Sequence, residues 1–149
     1  NILVHLDDKW LNYPIDNKQV YKLIKKLESY KYDKIIITCG KKLTKYNLDI
    51  FKQFNIDINN EKVEERNNII FFKKLSLLNL ATLIILSDTI ITSEGGVSHL
   101  TSAFGKNLIN LIQKDKENFL EKWKPQIENY HHIILEDKKA IDQITDCLN

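Results

Sequence analysis

The stretch of this chain that carries the most chemistry is Ser87-Asp-Thr-Ile-Ile-Thr-Ser-Glu-Gly-Gly-Val-Ser-His-Leu-Thr-Ser-Ala-Phe-Gly-Lys106. An apolar run, Thr89 to Thr92, leads into Glu94-Gly95-Gly96, and a helical pattern over Val97 to Phe104 begins at once. Two successive glycines remove side chains where backbone must come close to something. The free N–H groups and the positive end of the helix suit an anion, most simply a diphosphate. His99 falls in the first turn of that helix, where its ring can face the same anion. The same residues also make an ordinary tight turn with a surface histidine, and glycine turns are common. Spacing alone leaves both readings open.

Other constellations are weaker. Asp7-Asp8 sits at the end of an apolar run, but adjacent carboxylates on a strand end point to opposite sides, which is poor geometry for one ion. No Asp-x-Asp occurs in the chain. Cys39 and Cys147 form neither a C-x-x-C pair nor a metal spacing. Cys39 closes an apolar run and reads as a small hydrophobe. The expectation is a site without metal or cofactor, in a chain that keeps its thiols in a reducing compartment.

The elements that must position the glycine turn follow from apolar runs and punctuation. Ile2 to Leu6, Lys34 to Cys39, Ile69 to Phe72, Thr89 to Thr92, Asn107 to Ile112 and Ile133 to Leu135 read as buried strands. Between them lie helices: one capped by Asp16, one near Thr44 to Phe54, one apolar from Ser76 to about Leu86, and one over Val97 to Phe104 that Gly105 ends. A terminal helix over Lys138 to Leu148 closes the chain. The polar stretch Asp57 to Asn68 reads as a loop, with Glu61, Glu64 and Glu65 as a solvated face. Trp123 and Pro125 read as packing residues near the fifth strand. Alternating strands and helices predict an α/β, Rossmann-like three-layer domain. Its parallel sheet has about six strands in the order 3-2-1-4-5-6. Ligands of such folds bind outside the carboxyl ends of the strands.

Composition bounds the function. The chain has 149 residues, enough for one domain, with 43% hydrophobic and 28% charged residues and a formal net charge of +2. That charge gives no footprint for nucleic acid. The longest apolar stretch, Leu75 to Ile91, is interrupted by Ser76, Asn79, Thr82, Ser87 and Asp88, and so does not read as a spanning helix. The chain opens one residue before a buried strand, which suggests a preceding region.

The stretch up to Lys106 resembles the signature of glycosyltransferase family nine, the heptosyltransferases of the lipopolysaccharide core. Their C-terminal domain has an apolar helix, a strand, then Asp-(Ser/Thr)-Gly-x-x-His-Leu-(Thr/Ala)-x-Ala and a Gly-Lys or Gly-Arg pair. Glu94 falls where the family has Asp and Gly95 where it has Ser or Thr. Gly96, His99, Leu100, Thr101, Ala103, Gly105 and Lys106 continue the match. The opening Ile2-Leu-Val-His5-Leu-Asp-Asp-Lys9-Trp10 is similar to the family's strand, His, short loop, Lys and Trp.

The resemblance implies the C-terminal half of a GT-B enzyme. The donor diphosphate and sugar would sit at Glu94, Gly95, Gly96 and His99, with Lys9 as a point charge on the phosphates. The loop carrying Phe72, Lys74 and Leu75 would line the nucleobase. Phe72 reads equally as core, and His5 and Trp10 as structural. The family's acidic ribose ligand after the second strand has no counterpart in Cys39-Gly40-Lys41-Lys42. The implied substrate is a nucleoside diphosphate sugar, with ADP-heptose a candidate and no metal. The acceptor, a lipopolysaccharide-like or lipid-linked glycan, and the catalytic base belong to a domain outside the chain, so no catalytic residue is expected within it. The implied location is cytoplasmic, peripheral at the inner membrane. A GT-B sugar-nucleotide epimerase half and a stand-alone nucleotide-sugar-binding module are the alternatives.

Overall fold

The computed structural model describes residues 1–7, 9, 15–57, 63–136 and 139–149. The expectations that fall on Asp8, Trp10, Glu61 and Lys138 lie outside these residues. Parallel strands are β1 (Ile2–Leu6), β2 (Ile35–Cys39), β4 (Ile69–Phe72), β5 (Thr89–Ser93), β6 (Asn107–Gln113) and β7 (Tyr130–Leu135), joined by a short antiparallel strand, β3 (Glu64–Arg66). The sheet runs β3-β4-β2-β1-β5-β6-β7. Without β3, the six parallel strands stand in the expected order, 3-2-1-4-5-6.

Helices α1, α2 and α3 start where the sequence places capping residues. The Asp16 carboxylate accepts from the Gln19 backbone N–H at 2.9 Å, and the Gln19 side chain accepts from the Asp16 N–H at 2.9 Å. This capping box opens α1 (Asn17–Leu27), whose Val20, Leu23, Ile24 and Leu27 are buried at helical spacing. Thr44 caps α2 (Lys45–Gln53) and Ser76 caps α3 (Leu77–Ile85). The remaining helices are α4 (Gly96–Ala103), α5 (Leu120–Trp123) after a 3-10 turn over Lys114–Phe119, and α6 (Ala140–Asp146).

Alternation along β1 divides the core between two faces. Ile2, Val4 and Leu6 join the larger cluster with residues of α1, α2 and α6. Leu3 joins Ile36, Ile90, Leu80 and Ile84 on the other face, under α3 and flanked by Val97 and Leu100 of α4. Only Leu80 and Ile84 of α3 are buried, while Leu77, Leu78, Ile85 and Leu86 are exposed. Cys39 is buried, and burial pushes its thiol up to about 11, as expected of a small core residue.

The polar stretch before Asn68 is not a plain loop. Glu64, Glu65 and Arg66 pair antiparallel with Phe71, Ile70 and Ile69. Asn67, at φ 58°, turns the chain in a two-residue hairpin, a conformation asparagine tolerates. Glu64 is not solvated either. Its carboxylate lies 3.0 Å from the Lys73 ammonium, whose side chain is 2% exposed, and 3.7 Å from Arg66. Glu65 pairs with Lys34. Charged residues have low strand propensity, so backbone pairing to an apolar neighbour, not side-chain pattern, makes this strand.

Candidate functional site

The chain lays β2 and β4 on one side of β1 and β5, β6 and β7 on the other. The order therefore reverses between β1 and β5, which pair in parallel from Ile2↔Thr89 to Val4↔Ile91. In open α/β sheets the crevice at such a switch point is where ligands bind. The segments leaving these two strands carry Lys9 and Gly95.

The segment after β1 is held by Asp7. Its carboxylate accepts from the Lys9 backbone N–H at 2.8 Å, a local Asx arrangement, and from the Ser93 hydroxyl at the end of β5. The Lys9 ammonium donates to the Glu94 carbonyl and lies 4.0 Å from Glu94 Oε2. After β5, the Glu94 N–H donates to the Leu111 carbonyl at 3.0 Å, which extends the β5–β6 ladder into the turn. Gly95 then sits at φ 149°, where a side chain is strained, and a Cβ there would stand 2.9 Å from Lys9 Nζ.

The Ser98 hydroxyl donates to the Gly95 carbonyl at 2.7 Å and accepts from the Gly95 N–H at 3.2 Å, closing the turn. Helices α1, α2 and α3 each begin with a side chain bonded to a first-turn N–H. Helix α4 begins at Gly95 with no side-chain cap. Its leading N–H groups and an ammonium thus share one end of the crevice, the arrangement that holds an anion. A Cβ on Gly96 would meet nothing within 4 Å, so this glycine lies open on the surface of the turn. His99 is exposed, with its N–H on the Gly95 carbonyl at 3.3 Å.

Lys9, Glu94, Gly95, Gly96 and His99 are thus brought together. Phe72, Lys74 and Leu75 lie at the same edge after β4, beyond β2 and β1. At ~4.8 Å per strand they stand roughly 14 Å from the turn. Phe72 and Leu75 are half-buried against the smaller core cluster, while Lys74 is exposed at φ 54°. Among the described residues no group of three His, Cys, Asp or Glu could hold a metal ion, and no helix is long and apolar enough to cross a membrane.

His5 has the expected structural role. It is 4% exposed, and its Nδ1 lies 2.9 Å from Thr38 Oγ1. Burial draws its pKa below the ordinary histidine value, against the opposing pull of Asp7. A depressed folded-state pKa means that the unfolded chain takes up the proton first as pH falls. Stability from this residue is therefore complete above the unfolded value of about 6.5, and is lost as pH drops toward the folded value. The slope is at most ~1.4 kcal/mol per pH unit. Thermal unfolding of His5→Asn beside the native chain between pH 7 and 5.5 checks this: the native chain loses more stability on acidification.

Sequence reasoning missed three features. Asp7 positions Lys9, and its spacing two residues before Lys9 is a local signal that could have been read. Trp123, expected to pack, is 65% exposed, whereas Pro125 is buried as expected. Asn110, on β6 opposite Thr92, faces a pocket with Glu94, Ser98, His99, Phe119 and Trp123. No sequence spacing links those residues.

The sheet order and the crevice at the β1–β5 switch point define a doubly wound, mostly parallel α/β fold. Among solved structures, the chain is similar to the E. coli heptosyltransferase WaaC with ADP, with a TM-score of 0.68 and 15% identity over 97% of this chain and 43% of that one. It is also similar to S. aureus MnaA with UDP, with a TM-score of 0.65 and 13% identity over 99% and 36%. A third match is the UDP-GlcNAc 2-epimerase of Methanocaldococcus jannaschii, with a TM-score of 0.61 and 16% identity over 97% and 37%. The chain thus spans between 36% and 43% of the length of these proteins. No protein-family model and no curated protein matches it.

Proposed function

We propose that the chain is the donor-binding half of a GT-B glycosyltransferase of the family-nine kind. It holds the diphosphate of a nucleoside diphosphate sugar between Lys9 and the start of α4. One observation carries this: the Lys9 ammonium and the uncapped first turn at Gly96 meet at the β1–β5 switch point. A diphosphate needs neutralisation, and these groups supply it without a metal. Phe72, Lys74 and Leu75, roughly 14 Å away along the same sheet edge, line the base. The Glu94-Gly95-Gly96-x-x-His99 pattern favours family nine, with ADP-heptose as the leading donor. In this reading the acceptor is a lipopolysaccharide-like glycan, and the base that deprotonates it lies in a domain outside the chain. The work is done in the cytoplasm at the inner membrane.

Calorimetric titration with ADP, UDP and their sugars tests the reading. Lys9→Ala weakens the best ligand by about 1–2 kcal/mol, as one charge-assisted contact requires, and EDTA leaves the native affinity unchanged. Equal affinity of Lys9→Ala and the native chain sinks the assignment of Lys9. A second reading, half of a sugar-nucleotide epimerase, draws support from the fold likeness to two proteins of that architecture, one solved with UDP and one a 2-epimerase. The full-length protein separates the two: transfer to a glycan supports the first, epimerised sugar the second.

A further inference from the structure

We infer that two copies of this chain pair through their α3 helices, antiparallel about a two-fold axis at Thr82. The outer face of α3 is apolar and bare. Leu77, Leu78, Ile85 and Leu86 stand 73%, 77%, 48% and 60% exposed, while Leu80 and Ile84 hold the helix to the sheet. Residues 75–87 carry no charge, whereas α1 and α2 turn Lys18, Lys22, Lys45 and Lys52 to solvent. Leu78, Thr82 and Leu86 are spaced four apart and so form one ridge along the exposed side. The Thr82 hydroxyl donates to the Leu78 carbonyl at 3.1 Å. The middle of the ridge therefore presents a methyl group, and covering it strands no polar atom.

The ridge is small in the middle and large at both ends. Turned end for end about Thr82, it sets Leu78 of one copy against Leu86 of the other, twice, with Ile85 alongside. A two-fold interface requires such a self-complementary patch. Charge points the same way, because the partner must bring a surface as uncharged as this one. Among the described residues, the exposed Val63 stands next to Glu64, and Phe119 and Trp123 stand among lysines and glutamates. The surface that matches α3 is therefore α3 itself. A lipid surface fits less well, since helices that lie on membranes carry Lys or Arg along their flanks, and α3 has none. The face is about 16 Å long and 10 Å wide, roughly 300 Å² per copy, below the ~800 Å² of a standard interface. The pair thus belongs to the small, reversible class, and its population follows concentration.

Sedimentation velocity over a concentration series, on the native chain, Thr82→Lys and Gln53→Lys, tests this, with a melting curve of each. The native chain passes from monomer to dimer as concentration rises. Lysine suits an exposed helix position at least as well as threonine, so Thr82→Lys keeps the fold. At the axis the new charge meets its own copy, and association weakens at least about tenfold. Gln53→Lys, an equal charge on the exposed side of α2, dimerises as the native chain does. Leu78→Lys combined with Leu86→Glu associates more tightly than Leu78→Lys alone, because the axis brings the two positions together. Equal association of those two variants overturns the antiparallel pairing. A native chain that stays monomeric at its highest soluble concentration overturns the inference, and so does a dimer that Thr82→Lys leaves intact. Binding of a monomeric native chain to phosphatidylcholine vesicles assigns the face to lipid and overturns it as well. A full-length protein that is monomeric while the chain is dimeric does the same, since another part of that protein then covers α3.

Discussion

Gly96→Val abolishes nucleoside diphosphate binding and leaves the fold intact. The two halves of this outcome have separate causes. A Cβ at Gly96 meets nothing within 4 Å, and the backbone there is not left-handed, so the protein itself has room for the side chain. Valine on the first turn of an exposed helix changes stability by no more than about 0.5 kcal/mol, as surface substitutions usually do. The space it fills is the space a phosphate must enter to reach the N–H groups of α4. Losing two charge-assisted hydrogen bonds of ~1.5 kcal/mol each weakens binding by roughly a hundredfold or more. Calorimetry with ADP and UDP, paired with a melting curve, reads both halves. Native affinity in the variant would mean that no anion approaches the start of α4.

Glu64→Ala lowers stability by about 3 kcal/mol, the usual cost of removing one partner from a buried ion pair. The Lys73 side chain is 2% exposed and Glu64 14%, with 3.0 Å between their charges. Lys73 also donates to the Asp57 carbonyl, but that bond does not neutralise the ammonium. In a chain of this size 3 kcal/mol corresponds to a melting temperature lower by roughly 6–12 °C. The double variant Glu64→Leu/Lys73→Met is the informative comparison. It removes both charges and puts apolar side chains in their place, so it stays within about 1 kcal/mol of the native chain, since replacing a buried ion pair by apolar groups is often neutral. A Glu64→Ala curve that overlays the native one would mean that water reaches Lys73.

What could be read in the sequence was set by how local the physics is. Strands β1, β2, β5 and β6 are largely apolar runs buried on both faces, and each run determines its own burial. In β7, by contrast, only Ile133 to Leu135 is apolar, and Tyr130, His131 and His132 join the strand by pairing with β6. The strand order followed from connection rules, and with it the crevice at Lys9 and Gly95. Strand β3 escaped because Glu64-Glu65-Arg66 has no apolar pattern and owes its form to β4 and to Lys73 and Lys34. The pocket wall escaped for a similar reason. Phe119 and Trp123 lie on a 3-10 turn and a four-residue helix, too short to show a period, and they meet Glu94 only through the fold. Asp7 was legible, because an aspartate two residues before Lys9 can accept from its backbone N–H without help from the rest of the fold.

The charged hairpin strand also bears on how copies of this protein behave toward one another. Ile69-Ile-Phe-Phe72 is apolar, β-branched or aromatic and uncharged, the composition of segments that stack into fibrils when their backbone groups stand free. As the last strand of the parallel sheet it would offer those groups to any passing chain. Strand β3 occupies them, and its own outer rim presents Glu65 and Arg66, both exposed and charged. A short strand edged with charge is a poor template for another strand. Three residues with little intrinsic liking for β structure therefore act as gatekeepers, keeping the stickiest run of the sheet out of contact with its neighbours in a crowded solution.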